Sequence, residues 1–185
     1  MNDNHITLRT KYASTTKEIP GYDGFMNGLM SIVKAGAMDT PTGDKLRDYV
    51  LNFVKNNSLS TFNHYEDNTY VRNIIGRDAS GWEAIVMSWK KGSRTAIHTH
   101  PQFASYTFAD GEFLVEIFEP CEGGIKLVNK LTVNNQMGLY AIGEPGKFTN
   151  HIHRLTCLSE TAHSLHVYSS DALNGFNLDD ERIFE

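Results

Sequence analysis

The sequence is poor in cysteine and lacks long apolar runs. Its 185 residues include only 2 cysteines, Cys121 and Cys157, and neither belongs to a C-x-x-C pair. A disulfide framework is therefore not expected, and a reducing compartment is favoured. No apolar run approaches the roughly 20 residues that a membrane helix requires, and the polar N-terminus has no export-signal pattern. We expect a cytoplasmic protein with no membrane partner.

Clustered positive charge is also missing. The chain has 17 lysines and arginines against 22 acidic residues, which gives a formal net charge of -5. Because no basic stripe is present, nucleic acid is not expected as a partner. There is no internal repeat and no low-complexity tract. The composition therefore indicates a globular protein that acts on a small molecule. We expect a monomer or a weak homo-oligomer.

Helical patterns are confined to the first third of the chain. Apolar residues in 25–33 recur at i, i+4, i+7 and i+8, which predicts a helix with Asp23 as its cap and Gly36 as its stop. A second helical stripe follows Thr42 and ends at Asn56 and Asn57. A short helical turn is predicted around residues 59–65. The stripe of the second helix consists of Leu46, Val50, Phe53 and Val54.

Beyond Tyr70 the pattern changes to short runs rich in Val, Ile, Phe, Tyr and Thr, separated by turn residues. Closely spaced strands without intervening helices predict a mainly β sandwich or small barrel, with two or three N-terminal helices over one end or face. The expected strands are 70–75, 82–90, 94–100, 104–108, 111–119, 125–132, 138–142, 151–157 and 163–169.

We expect one domain over residues 1–185, because a chain of this length buries on the order of 70% of its surface on folding. The predicted layout is a polar arm at 1–19, a helical part at 20–66, a β part at 70–169 and a tail at 170–185. The tail is acidic with scattered apolar residues. Two states are open for it, a docked segment or a partly disordered one.

Two histidine pairs provide the strongest chemical signal. His98 and His100 flank Thr99, and side chains two apart on a strand point to the same face, so one cation could bind both. His151 and His153 repeat this spacing further along, and either could supply a third imidazole. Imidazole suits Zn, Cu, Fe and Ni, and three protein ligands leave coordination positions open for a substrate. The alternative is an exposed strand with solvated rings.

The segment 92–111 begins and ends with glycine and contains His98 and His100. In this spacing it resembles the first motif of the cupins. Where cupins commonly have a glutamate ligand, this chain has Ala104, followed by Ser105. The resemblance therefore implies a metal with three neutral imidazoles and no carboxylate.

Four separated motifs lie over 70–169: Tyr70-Val71-Arg72-Asn73, Ile97-His98-Thr99-His100, His153-Arg154-Leu155 and Ser164-Leu165-His166-Val167-Tyr168-Ser169. In order and approximate spacing they resemble the motifs of the cysteine dioxygenases, which are thiol dioxygenases of the cupin superfamily. The resemblance implies a cupin fold, a small β-barrel or jelly roll, in which His98, His100 and His153 hold Fe(II). It also implies that a cysteine-like thiol and O2 react to give a sulfinic acid.

The same resemblance implies roles for residues around the iron. Arg72 would bind the substrate carboxylate, since a planar guanidinium offers paired donors that match two oxygens, and Tyr70 would line the pocket. Tyr168 would lie near the iron-bound oxygen. Ser164, His166 and Tyr168 share one strand face, so their side chains can hydrogen-bond in series and orient the phenol.

Several alternatives stay open. His151 competes with His153 as the third ligand, and His153 is preferred because an arginine follows it, as in the family. Relatives that prefer 3-mercaptopropionate tend to have glutamine where Arg72 stands. A zinc or nickel site could use a metal-bound water for hydration or hydrolysis. A non-catalytic cupin that senses a small acid is also open, because Tyr168 is followed by Ser169-Ser170-Asp171 and not by the family's prolines.

Overall fold

The computed structural model describes residue 8, residues 16–134 and residues 136–184. The arm expected at 1–19 lies mostly outside the described residues. Within the described parts the protein is mainly β, with two helices near the N-terminus. No helix in these parts is long and apolar enough to cross a membrane.

Both predicted helices are present. Helix α1 is Asp23–Lys34 and helix α2 is Thr40–Asn56, and a 3-10 turn at Ser60–Phe62 follows them. The first predicted cap is wrong, because Asp23 lies inside the first turn of α1 and the capping residue is Tyr22, whose side chain makes no cap hydrogen bond.

Helix α2 begins two residues before Thr42 because Asp39 caps it. The Asp39 carboxylate accepts a hydrogen bond from the Thr42 backbone N–H at 3.0 Å, and a proline occupies the first turn, where its missing N–H is tolerated. The cap therefore sets the start of the helix ahead of its apolar stripe.

All nine predicted strands are present, and two short strands, β1 and β11, were not predicted. The largest difference is at the strand expected over 94–100, where only His98–His100 is regular and Arg94 forms an isolated bridge. The strands are β1 (Thr16–Glu18), β2 (Tyr70–Arg77), β3 (Glu83–Lys90), β4 (His98–His100), β5 (Phe103–Asp110), β6 (Phe113–Cys121), β7 (Gly124–Val133), β8 (Met137–Ile142), β9 (Asn150–Cys157), β10 (Thr161–Tyr168) and β11 (Ile183–Phe184).

The strands form two sheets that face each other. One sheet has the order β1-β2-β3-β10-β5-β8 and the other β11-β7-β6-β9-β4. Neighbours are antiparallel except for the edge pairs β1/β2 and β11/β7. One buried cluster joins the inner faces, with Ile85 and Trp89 from the first sheet against Val115 and Leu155 from the second. The predicted cupin fold, with N-terminal helices, is confirmed.

In the six-stranded sheet, apolar residues that pack against the helices alternate along β10 with polar residues that face the interior between the sheets. On β10, Leu165 and Val167 point outward and pack in the cluster that contains the helices. The intervening residues Ser164, His166 and Tyr168 have the opposite orientation and lie between the two sheets, buried. The helices therefore cover the outer face, while the polar groups line the interior.

The C-terminal segment is docked over its described residues. Leu178 is buried in a cluster with Ile97 and Ile152 on the outer face of the five-stranded sheet. Strand β11 then adds in parallel to β7. Of the two states considered for the tail, the docked one is observed.

Candidate metal centre

Three histidines converge between the sheets. His98 and His100 lie on β4 and His153 on β9, where His153 is directly paired with His98. One nitrogen from each ring lies within 4.8 Å of the others, and all three side chains are buried. Because β4 and β9 are antiparallel neighbours, the cross-strand pair supplies the third imidazole from a distant part of the sequence.

Backbone carbonyls fix the orientation of two of these rings. His98 donates from Nδ1 to the Ala96 oxygen at 2.9 Å, and His100 donates from Nδ1 to the His151 oxygen at 2.8 Å. A carbonyl only accepts, so Nδ1 carries the hydrogen in both rings and Nε2 keeps its lone pair. Within the described residues, Nε2 of His100 and Nδ1 of His153 are buried with no hydrogen-bond partner. A bound metal cation would satisfy such nitrogens.

Burial keeps these histidines uncharged. It lowers the pKa of His98 to about 4 and the pKa values of His100 and His153 well below the ordinary value, and the neighbouring His98 ring lowers the pKa values of His100 and His153 further. Imidazole binds a metal only in its neutral form. At neutral pH the cluster therefore has no protons to release before it binds a cation.

A bulge excludes His151 from the cluster. One residue of β4, Thr99, lies opposite two of β9, Ile152 and His151, since His98 pairs with His153 but His100 pairs with Asn150. The extra residue, His151, has a left-handed backbone with φ 47°. Its Nε2 is hydrogen-bonded to the Tyr106 hydroxyl at 2.8 Å while its carbonyl accepts from His100. His151 therefore orients the His100 ring through its backbone carbonyl.

Tyr106 was not expected at the site. It is buried on β5, and its ring packs against His153 with centroids 4.7 Å apart. Its position two residues after Ala104 places it on the inner face by strand alternation, which is the signal that would have found it. Its hydrogen bond to His151 connects it to the backbone that orients His100.

The expected side-chain series on β10 is formed. Ser164 Oγ lies 2.8 Å from Nε2 of His166, and Nδ1 of His166 lies 2.9 Å from the Tyr168 hydroxyl. The Trp89 indole donates to Ser164 at 2.9 Å, so the Ser164 hydroxyl hydrogen is available to His166. His166 can then donate from Nδ1 to Tyr168. The Tyr168 ring stacks on His100 at 5.8 Å, next to the cluster.

Arg72 is enclosed on the inner face of β2 and is 2% exposed. It shares this face with Tyr70 and Ile74, which are buried in the cluster between the two sheets, so its side chain faces the same interior. Nη1 donates to Thr16 at 3.4 Å, whereas Nη2 has no hydrogen-bond partner within the described residues. The guanidinium therefore keeps donors available for an acceptor inside the site.

Tyr70, expected to line the pocket, is buried two residues before Arg72. Its ring packs on that of Trp89 with centroids 4.5 Å apart. Tyr70 and Trp89 are cross-strand partners of β2 and β3. The contact places Tyr70 beside the indole that supports the Ser164 end of the β10 series.

Glu83 is the second residue that the sequence did not indicate. It is fully buried at the start of β3, opposite Tyr168 in the sheet. Its Oε1 accepts from the Ala172 backbone N–H at 2.9 Å and lies 3.6 Å from Nη2 of Arg72. Its Oε2 accepts from Arg77. The sequence could have indicated it, because Glu83 is the one charged residue among the inward-facing positions of β3, which are otherwise apolar.

Glu83 also explains how the turn after Tyr168 is held without prolines. The Ala172 N–H is fixed by the Glu83 carboxylate, and the Asp171 side chain accepts from the Leu173 N–H at 2.9 Å. Ser169 Oγ accepts from the Phe103 N–H at 2.9 Å. Side-chain hydrogen bonds therefore anchor this turn.

Comparison with known proteins gives one family and a set of distant folds. The sequence model of the family described as cysteine dioxygenase type I matches residues 26–177. No curated protein matches the chain. A cupin superfamily protein from Desulfitobacterium hafniense is 12% identical, with 61% of this chain and 88% of that chain covered and a TM-score of 0.45. An oxalate oxidase is 16% identical, with 61% and 57% covered and a TM-score of 0.48.

Proposed function

The chain belongs to the cysteine dioxygenase type I family, and from this membership we propose that it is an iron-dependent thiol dioxygenase acting on cysteine or a closely related small thiol. Both oxygen atoms of O2 are added to sulfur, so that R–SH and O2 give R–SO2H and no external reductant is needed. The single observation that supports this best is the buried cluster of three neutral imidazoles beside Arg72. The proposed setting is the cytoplasm, with no nucleic acid or membrane partner.

The donor set fits a divalent metal that takes an anionic substrate. His98, His100 and His153 would hold the ion without a carboxylate, because Ala104 stands buried where many cupins have glutamate. Three neutral ligands leave the charge of the ion uncompensated, which favours a thiolate as the next ligand. Fe(II) would supply the coordination positions at which the thiolate and O2 meet.

Arg72 and Tyr70 form the proposed substrate-binding part of the site. The hydrogens on Nη2 of Arg72 have no acceptor within the described residues, and a guanidinium binds a carboxylate through paired donors. Tyr70, two residues before Arg72 on the same strand face, is proposed to line the site beside it. A thiol with a carboxylate would thus be oriented at both ends.

Tyr168 is proposed to act as a hydrogen-bond donor and not as a base. Burial raises the pKa of its phenol well above the usual range, so the hydroxyl keeps its hydrogen at neutral pH. Ser164 and His166 fix the phenol oxygen from one side. Its hydrogen is then available to an oxygen of the substrate or of the forming sulfinate.

The test is oxygen uptake by iron-reconstituted protein with cysteine, 3-mercaptopropionate and cysteamine, with product mass measured. We expect uptake with cysteine and a product heavier by two oxygen atoms, and no uptake by His98→Ala, which loses a metal ligand. Faster oxygen uptake with 3-mercaptopropionate than with cysteine would identify 3-mercaptopropionate as the substrate. Thiol binding without oxygen uptake would instead identify a non-catalytic sensor. Activity of the zinc-loaded or nickel-loaded protein in the absence of O2 would identify a hydrolytic enzyme.

A further inference from the structure

A buried carboxylate lies beside the arginine that is proposed to bind the substrate. Oε1 of Glu83 is 3.6 Å from Nη2 of Arg72, and the two side chains are 0% and 2% exposed. This separation is too long for a hydrogen bond. Glu83 therefore compensates part of the Arg72 charge without occupying its donors.

Glu83 is shared between two arginines. Arg77, which is 45% exposed, donates to Oε2 from Nε at 3.3 Å and from Nη2 at 3.2 Å, and it also pairs with Glu18 at 2.8 Å. The Ala172 N–H donates to Oε1. The negative charge available to Arg72 is thus set by how strongly Arg77 holds the same carboxylate.

We propose that Glu83 is a specificity-determining residue, which weakens the binding of carboxylate-bearing thiols and allows small thiols without a carboxylate to bind. The inference rests on the proposed function, because it assigns a substrate class to the same site. A buried, unpaired charge is strongly unfavourable. With Glu83 present, Arg72 stays partly compensated when a thiol such as cysteamine fills the site.

The same carboxylate opposes an acidic substrate. A substrate carboxylate at Arg72 adds a second negative charge to a guanidinium that already has Glu83 beside it, in an interior of low dielectric. Without the charge of Glu83, the acid would gain the full attraction of Arg72. Thiols lacking a carboxylate would then leave Arg72 uncompensated and bind less well.

Two substitutions shift this balance in opposite directions. Glu83→Gln removes the charge but keeps an oxygen for the Ala172 N–H, while the half-exposed Arg77 retains Glu18 as its partner. Arg77→Met removes the two hydrogen bonds from Arg77 to Glu83, so that the charge of Glu83 compensates Arg72 more strongly. A general loss of stability affects both ligands alike, so it leaves the ratio of their affinities unchanged.

The experiment is calorimetric titration of the anaerobic iron-loaded protein with 3-mercaptopropionate and with cysteamine. We expect the affinity ratio of acid to amine to rise by about tenfold in Glu83→Gln, as for the loss of one close charge, and to fall several-fold in Arg77→Met. Glu160→Gln, an exposed glutamate paired with Lys91, should keep the parent ratio.

An acid-to-amine affinity ratio that is unchanged or lower in Glu83→Gln, or unchanged in Arg77→Met, would overturn the proposed role of Glu83 but not the proposed function. If Glu83→Gln does not fold, the opposite shift in Arg77→Met still decides the matter. A parent protein that holds iron but binds neither thiol would overturn both this inference and the proposed function.

Discussion

At the scale of single residues, the orientation of the three-histidine cluster depends on groups outside it. His100 is oriented by the carbonyl of His151, whose ring is held by the hydroxyl of Tyr106. A ring whose Nδ1–H is fixed points its Nε2 lone pair in one direction. The affinity of the cluster should therefore depend on Tyr106.

Tyr106→Phe tests this dependence, because it removes one hydroxyl and keeps the ring that packs on His153. We expect the metal affinity to fall by roughly 10-fold or more, as is typical when an outer hydrogen-bonding group is lost. The measurement is competition with a chelator, using Co(II) absorption as the signal. Tyr49→Phe, whose hydroxyl bonds a helix carbonyl far from the site, should bind metal like the parent; equal affinity in Tyr106→Phe would contradict the assignment.

Tyr168→Phe tests the proposed donor. Removing the phenol hydroxyl should lower kcat by roughly 100-fold, the scale of one positioned proton donor, while leaving the metal content at the parent level. Oxygen-uptake kinetics and metal analysis on one preparation separate the two effects. Tyr65→Phe, which removes a hydroxyl that bonds Asn63 and His163 outside the site, serves as the control. An unchanged kcat in Tyr168→Phe would reject the role.

The sequence could identify the site residues only in part. Spacing alone predicted that His98 and His100 share a face, but it left His151 and His153 equivalent. The bulge that separates them arises from pairing between β4 and β9, which no local pattern encodes. Alternation could place Glu83 and Tyr106 on inward strand faces, but their partners Arg72 and His151 are fixed only by the folded structure.

At the scale of elements, the short strand β4 is held from both sides. Strand β9 pairs with one edge, and on the other the Thr99 N–H donates to the Phe176 oxygen while Phe176 N–H donates to Thr99 Oγ1 at 2.8 Å. Gly175 precedes this contact, and an added Cβ would overlap the Thr99 carbonyl oxygen. The C-terminal segment thus fixes the backbone between the two histidines.

Gly175→Ala should displace β4 and weaken metal binding by several-fold or more, since small shifts of a ligand strand misplace both imidazoles. Chelator competition and thermal unfolding of the metal-free protein are the measurements. Gly24→Ala is the matched control, because an added Cβ there meets nothing within 4 Å. Parent-like affinity in Gly175→Ala would show that the contact does not position β4.

At the scale of the whole molecule, period-two alternation made the mainly β fold predictable, and the helical stripes gave both helices. Of the strand expected over 94–100 only His98–His100 is regular, because the Ile97 N–H bonds the Asp179 side chain and not a neighbouring strand. The docked tail was undecidable from sequence, since Leu178 packs against strands far away along the chain.

Burial of neutral histidines also makes the stability of the whole protein depend on pH. The pKa is lowered to about 4 in His98 and His151 and to about 3 in His166, mainly by burial. Unfolded histidine titrates near pH 6.5, so below that pH the unfolded chain binds more protons than the folded one. The free energy of unfolding should therefore fall as the pH drops from 6.5 towards 4.

Urea unfolding of the metal-free protein at pH 7.5, 6.5, 5.5 and 4.5 checks this expectation. His166→Asn should lose less stability over the acid range than the parent, by about 1.4 kcal/mol per pH unit at most. His64→Asn, which alters an exposed histidine, should keep the parent slope. Stability that stays constant or rises on acidification would contradict the buried neutral state.

The central claim is that three uncharged imidazoles hold one iron and leave room for a thiolate. X-ray absorption of the iron-loaded protein, recorded anaerobically with and without cysteine, tests it most directly. We predict nitrogen ligands alone from the protein, and one new sulfur ligand when cysteine is added. An unchanged spectrum on addition of cysteine, or one that requires protein sulfur at the iron, would contradict the account.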